Sequence, residues 1–380
     1  MAENSVYRIG FVIEQVLGHI THGQNLQANV RSDVEIEDYW SFPVWDATGL
    51  AGMMPNWTLK AGLQARHDIQ SIQHQTTLDA LFFHTYITAL LSQNWLKRIP
   101  SVISLDATPR QYDELGQSYQ HESGPDWLEQ QKWRLNRNAF RAARHLVSWS
   151  HWAKAGLSTY EVSPEKVTVI PPGVNIAEWS RPEPRRYKAG PVKILFVGAD
   201  LERKGGNVLL EAFRRLDQNI PAAASSLQAE SPIELHLVTR TAVSPEPGLF
   251  IYNDMQPNSP QLKQLFFDSD IFCLPTFGDC LPMALAEAGA AGMPLVSCNV
   301  AAIPEIVRPG KTGYLVPPGK IDQLKNVLQR LIDNPDLRLD LGEQALQLVK
   351  AEHDAERNAQ RLLDLLKSIA DRGNVETLNE

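Results

Sequence analysis

Short apolar runs alternate with segments of helical spacing along the whole chain. YRIGFVI (7–13), DALFFHT (79–85), SVISLDA (101–107) and EKVTVI (165–170) predict strands of a first unit. VKILFVG (192–198), IELHLVT (233–239), DIFCLPT (270–276), PLVSC (294–298) and GYLVPPG (313–319) predict a second set. These runs are apolar nearly throughout instead of alternating with polar residues. That is the pattern of strands covered on both faces, as in a parallel sheet flanked by helices. Strand–helix alternation occurring twice predicts an α/β protein of two Rossmann-like, doubly wound domains facing a central cleft.

Proline marks the boundary. The stretch 171–191 holds five prolines and breaks both periodicities. The pattern gives an N-terminal Rossmann-like domain at 1–175, a linker at 176–190 and a C-terminal Rossmann-like domain at 191–352. Residues 353–380 form a last helix and polar tail, with C-terminal helices able to cross back to the first domain. Residues 217–232 read as an Ala/Ser-rich surface loop. No internal repeat of fixed period is present.

Composition narrows the class. At 380 residues the chain suits two domains of roughly 150 to 200 residues each. Hydrophobic residues at 43% and charged residues at 21% fit a globular protein. A net charge of −8, from 36 basic and 44 acidic residues, argues against a general nucleic-acid binder. The N-terminal apolar run is too short for a signal peptide, and no apolar stretch approaches ~18 residues. Cys273, Cys280 and Cys298 are odd in number and fit no disulfide framework, so reduced thiols and a cytoplasmic location are expected.

The chemistry concentrates in LPTFGDCLPMALAEAGAAGMPLVS (274–297), where Asp279 and Glu287 stand with seven residues between them. Pro282 suits the first position of a helix, and the amides of Met283 and Ala284, next to the turn residues Cys280 and Leu281, form an anion site at its start. Glu287 lies five residues further on, about 7.5 Å along the helix at ~1.5 Å per residue. That is the offset of a ribose from a diphosphate, and a carboxylate there can accept from paired hydroxyls. Asp279, on the outer side, can do likewise for a sugar. Two carboxylates flanking an anion site fit a nucleotide sugar. Taken singly, Asp279 reads equally well as a loop residue and Glu287 as a solvated helix residue. Across the chain, VGADLERKGG (197–206) sets Arg203 and Lys204 on a strand-to-helix turn, where two cations can neutralise a departing diphosphate.

These segments, with AIPEIVRPGKTGYLVPPG (302–319), resemble the C-terminal half of the retaining glycosyltransferase family 4, of GT-B fold. VLGHITHGQNL, SLDATP, SWSHWAKAGL and VIPPGVN match positions in its N-terminal half and linker. The resemblance implies a nucleotide-diphosphate-sugar donor held mainly by the domain at 191–352, an acceptor bound by the domain at 1–175, retention at the anomeric carbon and no required metal or other cofactor. It implies ribose binding by Glu287, with Asp279 replacing the first of the family's two glutamates. Ala199 stands where many members have arginine, and Pro282 where many have glycine. By resemblance Gly18 touches the donor phosphates, and His84 and Asp106 lie near donor and acceptor, orienting the hydroxyl or supporting charge at the anomeric carbon. His19 and His22 rank lower.

Alternative readings remain. A lone strand-end histidine such as His84 is commonly structural. RPGKTG (308–313) imitates a P-loop but has Glu305 where the required glycine belongs. Arg134, Arg137, Arg141 and Arg144 share a helical spacing, which is ordinarily a solvated face and alternatively a patch for anionic lipid at the inner face of a membrane. No histidine–carboxylate dyad stands out. The expected partners are the donor and a sugar, lipid or small-molecule acceptor, with no nucleic acid. Base specificity is expected in a loop between residues 240 and 256. A nucleotide-sugar epimerase and a catalytically inactive nucleotide-sugar-binding protein are the competing classes.

Overall fold

A computed structural model describes residues 6–15, 19–44, 56–116, 124–186, 190–217 and 232–377. The chain divides into two units, Met1–Gly173 with Ala355–Glu380, and Val174–Asp354. Its longer helices are α1 His19–Val30, α2 Trp57–Gln75, α3 Asp126–Ala142, α4 Gly206–Asp217, α5 Pro260–Asp268, α6 Met283–Ala290, α7 Ile321–Asp333, α8 Pro335–Glu352 and α9 Ala355–Thr377.

The first unit is built on six parallel strands: β1 Tyr7–Val12, β2 Ile36–Ser41, β3 Ala80–Phe83, β4 Ser101–Leu105, β5 His145–Ser148 and β6 Val167–Val169. Their order is β2-β1-β3-β4-β5-β6. Side chains alternate across a strand, so the apolar run of β3 is shared between two cores. Leu81 and Phe83 pack with Ala65 and Ile69 of α2 and with Ala139 and Phe140 of α3. Ala80 and Phe82 pack with Leu26 and Val30 of α1 and with Leu362, Leu363, Leu366 and Ile369 of α9. The last helix thus completes the first unit. Lys367 holds it there through Asp33 (2.8 Å) and Glu35 (2.7 Å).

The second unit also has six parallel strands: β7 Val192–Val197, β8 Ile233–Val238, β9 Leu249–Tyr252, β10 Ile271–Leu274, β11 Leu295–Cys298 and β12 Gly313–Val316. Their order is β12-β11-β10-β7-β8-β9, the doubly wound arrangement, with the winding reversing between β7 and β10. Ligands of such sheets bind beyond the strand carboxyl ends at the reversal. Both sheets therefore have the expected α/β, Rossmann-like form.

The proline-rich stretch is ordered where it is described. Ile176–Trp179 forms a helical turn, and Trp179 is buried edge-on against Phe266, with ring centroids 5.2 Å apart. The Arg185 guanidinium donates to the carbonyls of Phe266 (2.7 Å), Ala291 (2.9 Å) and Ser269. Proline breaks the helix, but Trp179, Arg185 and Arg181, which donates to the Phe267 carbonyl, tie the segment to the second unit.

Three strands lie outside the runs that predict strands. β2 (IEDYWS) carries two acids on an edge of its sheet. β5 (HLVS) is four residues long and directly follows α3. β9 (LFIY) is the opposite sheet's edge and occupies part of the stretch 240–256 that reads as a loop. An edge strand such as β2 need not be apolar on both faces, whereas LFIY is apolar throughout. Residues 218–231, most of the expected Ala/Ser-rich loop, lie outside the described residues. Among the described residues no helix is long and apolar enough to cross a membrane.

Candidate active site

At the reversal of the second sheet, the loops leaving β7 and β10 touch. Gly205 has φ +75° and sits where a Cβ would lie 1.9 Å from the Pro275 carbonyl oxygen. Only glycine fits this approach. The Arg203 carbonyl accepts from the Phe277 amide (3.0 Å) and the Thr276 hydroxyl (3.2 Å). Arg203 Nη1 donates to the Gly278 carbonyl at 2.8 Å. The two loops are thereby knitted into one cradle. Gly205→Ala is expected to destabilise the unit by at least about 2 kcal/mol, from left-handed strain plus the backbone collision, and to weaken anion binding with it. Thermal melting and phosphate-ligand titration of the variant check this.

Arg203, Lys204 and Asp279 meet in that cradle. Lys204 Nζ pairs with Asp279 Oδ2, and Arg203 Nη1 lies 3.9 Å from Asp279 Oδ1. The cation side chains are 16% exposed and the acid 13%, so water and salt screen the trio weakly. Asp279, expected to reach sugar hydroxyls, here faces the two cations.

The loop continues through Cys280 and Leu281, both buried, into α6. Pro282 stands as the N-cap, one position earlier than expected, and Met283 is the first helical residue. Proline supplies no side-chain oxygen to the start of α6. The amides of the first turn, Met283 and Ala284 among them, have no acceptor within the helix and favour an anion. Glu287 follows one turn later, 7% exposed. Burial pushes its carboxyl up to about 7, against the pull of Lys263. A nearly buried carboxyl with that pKa is the kind of group functional sites display.

The first unit carries a second cluster at the ends of β1, β3, β4 and β5. Glu14 follows β1, His19 and His22 open α1, His84 follows β3, Asp106 follows β4 and Trp149 follows β5. The His19 ring lies 5.2 Å from both His84 and Trp149, and His22 lies 4.9 and 5.0 Å from the same two rings. His19 Nδ1 is 3.7 Å from Glu14 Oε2, and its Nε2 is 3.7 Å from Asp106 Oδ2. Trp57 Nε1 donates to Glu14 Oε1 (2.5 Å) and the Tyr112 hydroxyl to Asp106 Oδ2 (2.6 Å). Burial pulls His19 down, but Asp106 and Glu14 outweigh it and hold the imidazole above its usual range. Burial, then the charge of His19, lowers His22 to about 3. His84 falls well below its usual range by burial and its two histidine neighbours. Among the described residues no group of three or more His, Cys, Asp or Glu side chains is placed to hold a metal.

Arg203, Lys204 and Asp279 are brought together, Glu287 lies one turn along the adjoining helix, and Asp106 and His84 share the other cluster. Gly18 lies outside the described residues. Glu14, Trp57 and Tyr112 were not singled out by the sequence, and His19, ranked low there, is the histidine flanked by acids. The glutamate directly ending the run GFVIE was the available signal for Glu14. Arg144 lies beyond the end of α3 and off its stripe.

Two family profiles match the chain: one described as Glycosyltransferase Family 4 over residues 33–178, the other as Glycosyl transferases group 1 over residues 191–334. An MMP alpha-(1->4)-mannosyltransferase of Mycolicibacterium hassiacum is 29% identical over 197 residues, which cover 49% of this chain and 44% of that protein. The chain spans about half the length of the curated relatives it matches. A sucrose-phosphate synthase from Thermosynechococcus elongatus superposes with TM-score 0.73 at 15% identity, covering 96% of this chain and 99% of that one. Anabaena Alr3699/HepE in complex with UDP and glucose gives 0.67 at 15% identity, covering 95% and 100%. These two likenesses concern the fold. With the two profiles spanning well over half of its length, the chain belongs to the family 4 glycosyltransferases of GT-B fold.

Proposed function

We propose that the chain is a retaining glycosyltransferase that moves a sugar from a nucleotide-diphosphate-sugar donor to a hydroxyl of a sugar, lipid or small-molecule acceptor. The observation that carries this reading is the meeting of Arg203 and Lys204 with the loop that leads into α6 at the reversal of the second sheet, with Glu287 one turn into that helix. Cations and helix amides suit a diphosphate, and the buried carboxylate suits ribose hydroxyls. The glucose and UDP bound by Alr3699/HepE, and the mannosyltransferase relative, support a donor of this class.

In the reaction the bond between the anomeric carbon and the β-phosphate oxygen breaks. The acceptor oxygen joins that carbon on the same face, and its proton passes to the departing phosphate oxygen. Arg203 and Lys204 stabilise the charge growing on that phosphate, so the reading needs no metal. Equilibrium titration with nucleoside diphosphates and monophosphates tests the donor site. Diphosphates should bind at least about tenfold more tightly, the worth of one charge-assisted contact. Equal affinities would remove the diphosphate from the cradle.

Peripheral contact with an anionic membrane, at the inner face of a cytoplasmic membrane, belongs to the same proposal. Trp127 is 66% exposed and shares one stripe of α3 with the exposed Arg134 and Arg141, whereas Arg137 pairs with Glu161. Binding to phosphatidylglycerol vesicles at low salt should fall about tenfold or more in Arg134→Glu/Arg141→Glu, at ~1 kcal/mol for each lost charge. Sedimentation of the vesicles reads it, and wild-type protein left in the supernatant at low salt contradicts it.

A further inference from the structure

The strand-end cluster of the first unit concentrates unmet polar atoms. Glu14 Oε2, His19 Nδ1 and both ring nitrogens of His84 are buried without a hydrogen-bond partner. Buried polar atoms are ordinarily paired, and each exception calls for an explanation. Glu14 is 3% exposed and His84 is fully buried, while the His19 side chain is 19% exposed.

Resting on the glycosyltransferase reading, we propose that this cluster binds the acceptor, and that it takes an uncharged polyol ring, a sugar or cyclitol, in preference to a phosphate-bearing one. His19 Nδ1 and Glu14 Oε2 stand 3.7 Å apart, beyond hydrogen-bond reach of each other. A hydroxyl oxygen at ordinary distance from both can accept from the imidazole and donate to the carboxylate, satisfying both orphans at once. An ionised phosphate oxygen cannot donate. It would also place a negative charge against two buried carboxylates, Glu14 and Asp106, which is a repulsive element of the kind that sets specificity.

Among the described residues, none of the groups acting on the cluster is a basic side chain. The charges acting on His19, His22, His84 and Asp106 come from one another and from Glu14, with Tyr112 as a hydrogen-bond donor; no lysine or arginine contributes. Tyr86, which faces Asp106 and Glu14 too, is held in its neutral form by burial and by those acids. Trp57 and Tyr112 fix one oxygen of each acid, which keeps Glu14 Oε2 turned to His19. His19 is a positioning group here: it holds the hydroxyl against Glu14, and its proton keeps the two acids from repelling each other.

The test uses the full chain with ¹⁵N-labelled histidine, the His19 signals being assigned by His19→Gln. The probes are glucose, galactose, mannose and myo-inositol, each beside its monophosphate. At least one neutral probe should move the His19 ring signals, and its monophosphate should need about tenfold or more higher concentration to do so. Glu14→Gln should narrow that preference severalfold, because a carboxamide does not repel phosphate. Monophosphates binding as well as the neutral probes would overturn the proposal. So would His19 signals unmoved by every probe, or an unchanged preference in Glu14→Gln. Nucleoside diphosphate titration of the same samples separates these failures from failure of the donor site.

Discussion

Lys204→Ala is expected to lower turnover about 100- to 1,000-fold, with a smaller effect on donor affinity. Transition-state charge stabilisation is typically worth ~3 to 4 kcal/mol for each lost contact, which is that range in rate. The side chain is held at the reversal of the second sheet by Asp279, with Arg203 beside it, and all three are mostly buried. In the free protein Asp279 neutralises the cations, so the donor diphosphate takes over a place that the acid now holds. Removing Lys204 leaves Asp279 with the more distant Arg203, which costs stability as well as rate. The double variant Lys204→Ala/Asp279→Asn leaves no unpaired carboxylate, and should regain the melting temperature without regaining turnover. Asp279→Asn alone should not weaken binding of a free nucleoside diphosphate. Arg203→Ala should follow Lys204→Ala, and an arginine placed at position 199 should restore part of its loss. A folded Lys204→Ala enzyme with wild-type turnover would remove the pair from the site.

Glu287→Gln should stabilise the free protein above pH 7 while weakening donor binding about tenfold or more. The carboxyl is pushed up to about 7 by burial, from its ordinary 4.5. A raised carboxyl pKa means that the folded state holds the proton more tightly than the unfolded chain. Its contribution is full below pH 4.5, falls as pH rises, and is gone above about 7, where the buried charge weighs on the fold. At ~1.36 kcal/mol per pH unit, the shift amounts to at most about 3 kcal/mol at pH 8, which the neutral amide avoids. Ribose hydroxyls donating to the carboxylate favour its charged form, so donor binding should release a proton near neutral pH and weaken as pH falls below 7. Melting curves at pH 5 and 8 and calorimetric titration in two buffers read both halves. Equal melting of variant and wild type at both pH values would contradict the burial account, and unchanged affinity would remove Glu287 from the ribose.

Much of this architecture is legible in the chain because buried parallel strands write themselves as continuous apolar runs. YRIGFV, VKILFV and IFCL stand out for that reason, while β2 carries two acids at a sheet edge and β5, HLVS, has only two apolar residues close behind a helix. The spacing of Asp279 and Glu287 is local and could be read directly. The partner of Asp279 could not. Lys204 stands 75 residues away and meets it only because β7 and β10 are neighbours in the sheet. His19 and Asp106 likewise meet across β3, whose end supplies His84 between them. Contacts set by strand order have no signature in spacing, so the histidine–acid cluster stayed hidden while His19, His84 and Asp106 were individually visible.

The central claim is that the second unit's strand-end site activates a nucleotide-diphosphate sugar for transfer with retention. Incubating the protein with a panel of nucleotide sugars and hydroxyl acceptors, and following the anomeric protons by NMR, tests it most directly. The account predicts release of a nucleoside diphosphate coupled to a glycoside whose anomeric configuration matches the donor's. An inverted product, a new nucleotide sugar without diphosphate release, or binding with no turnover across the panel would contradict it.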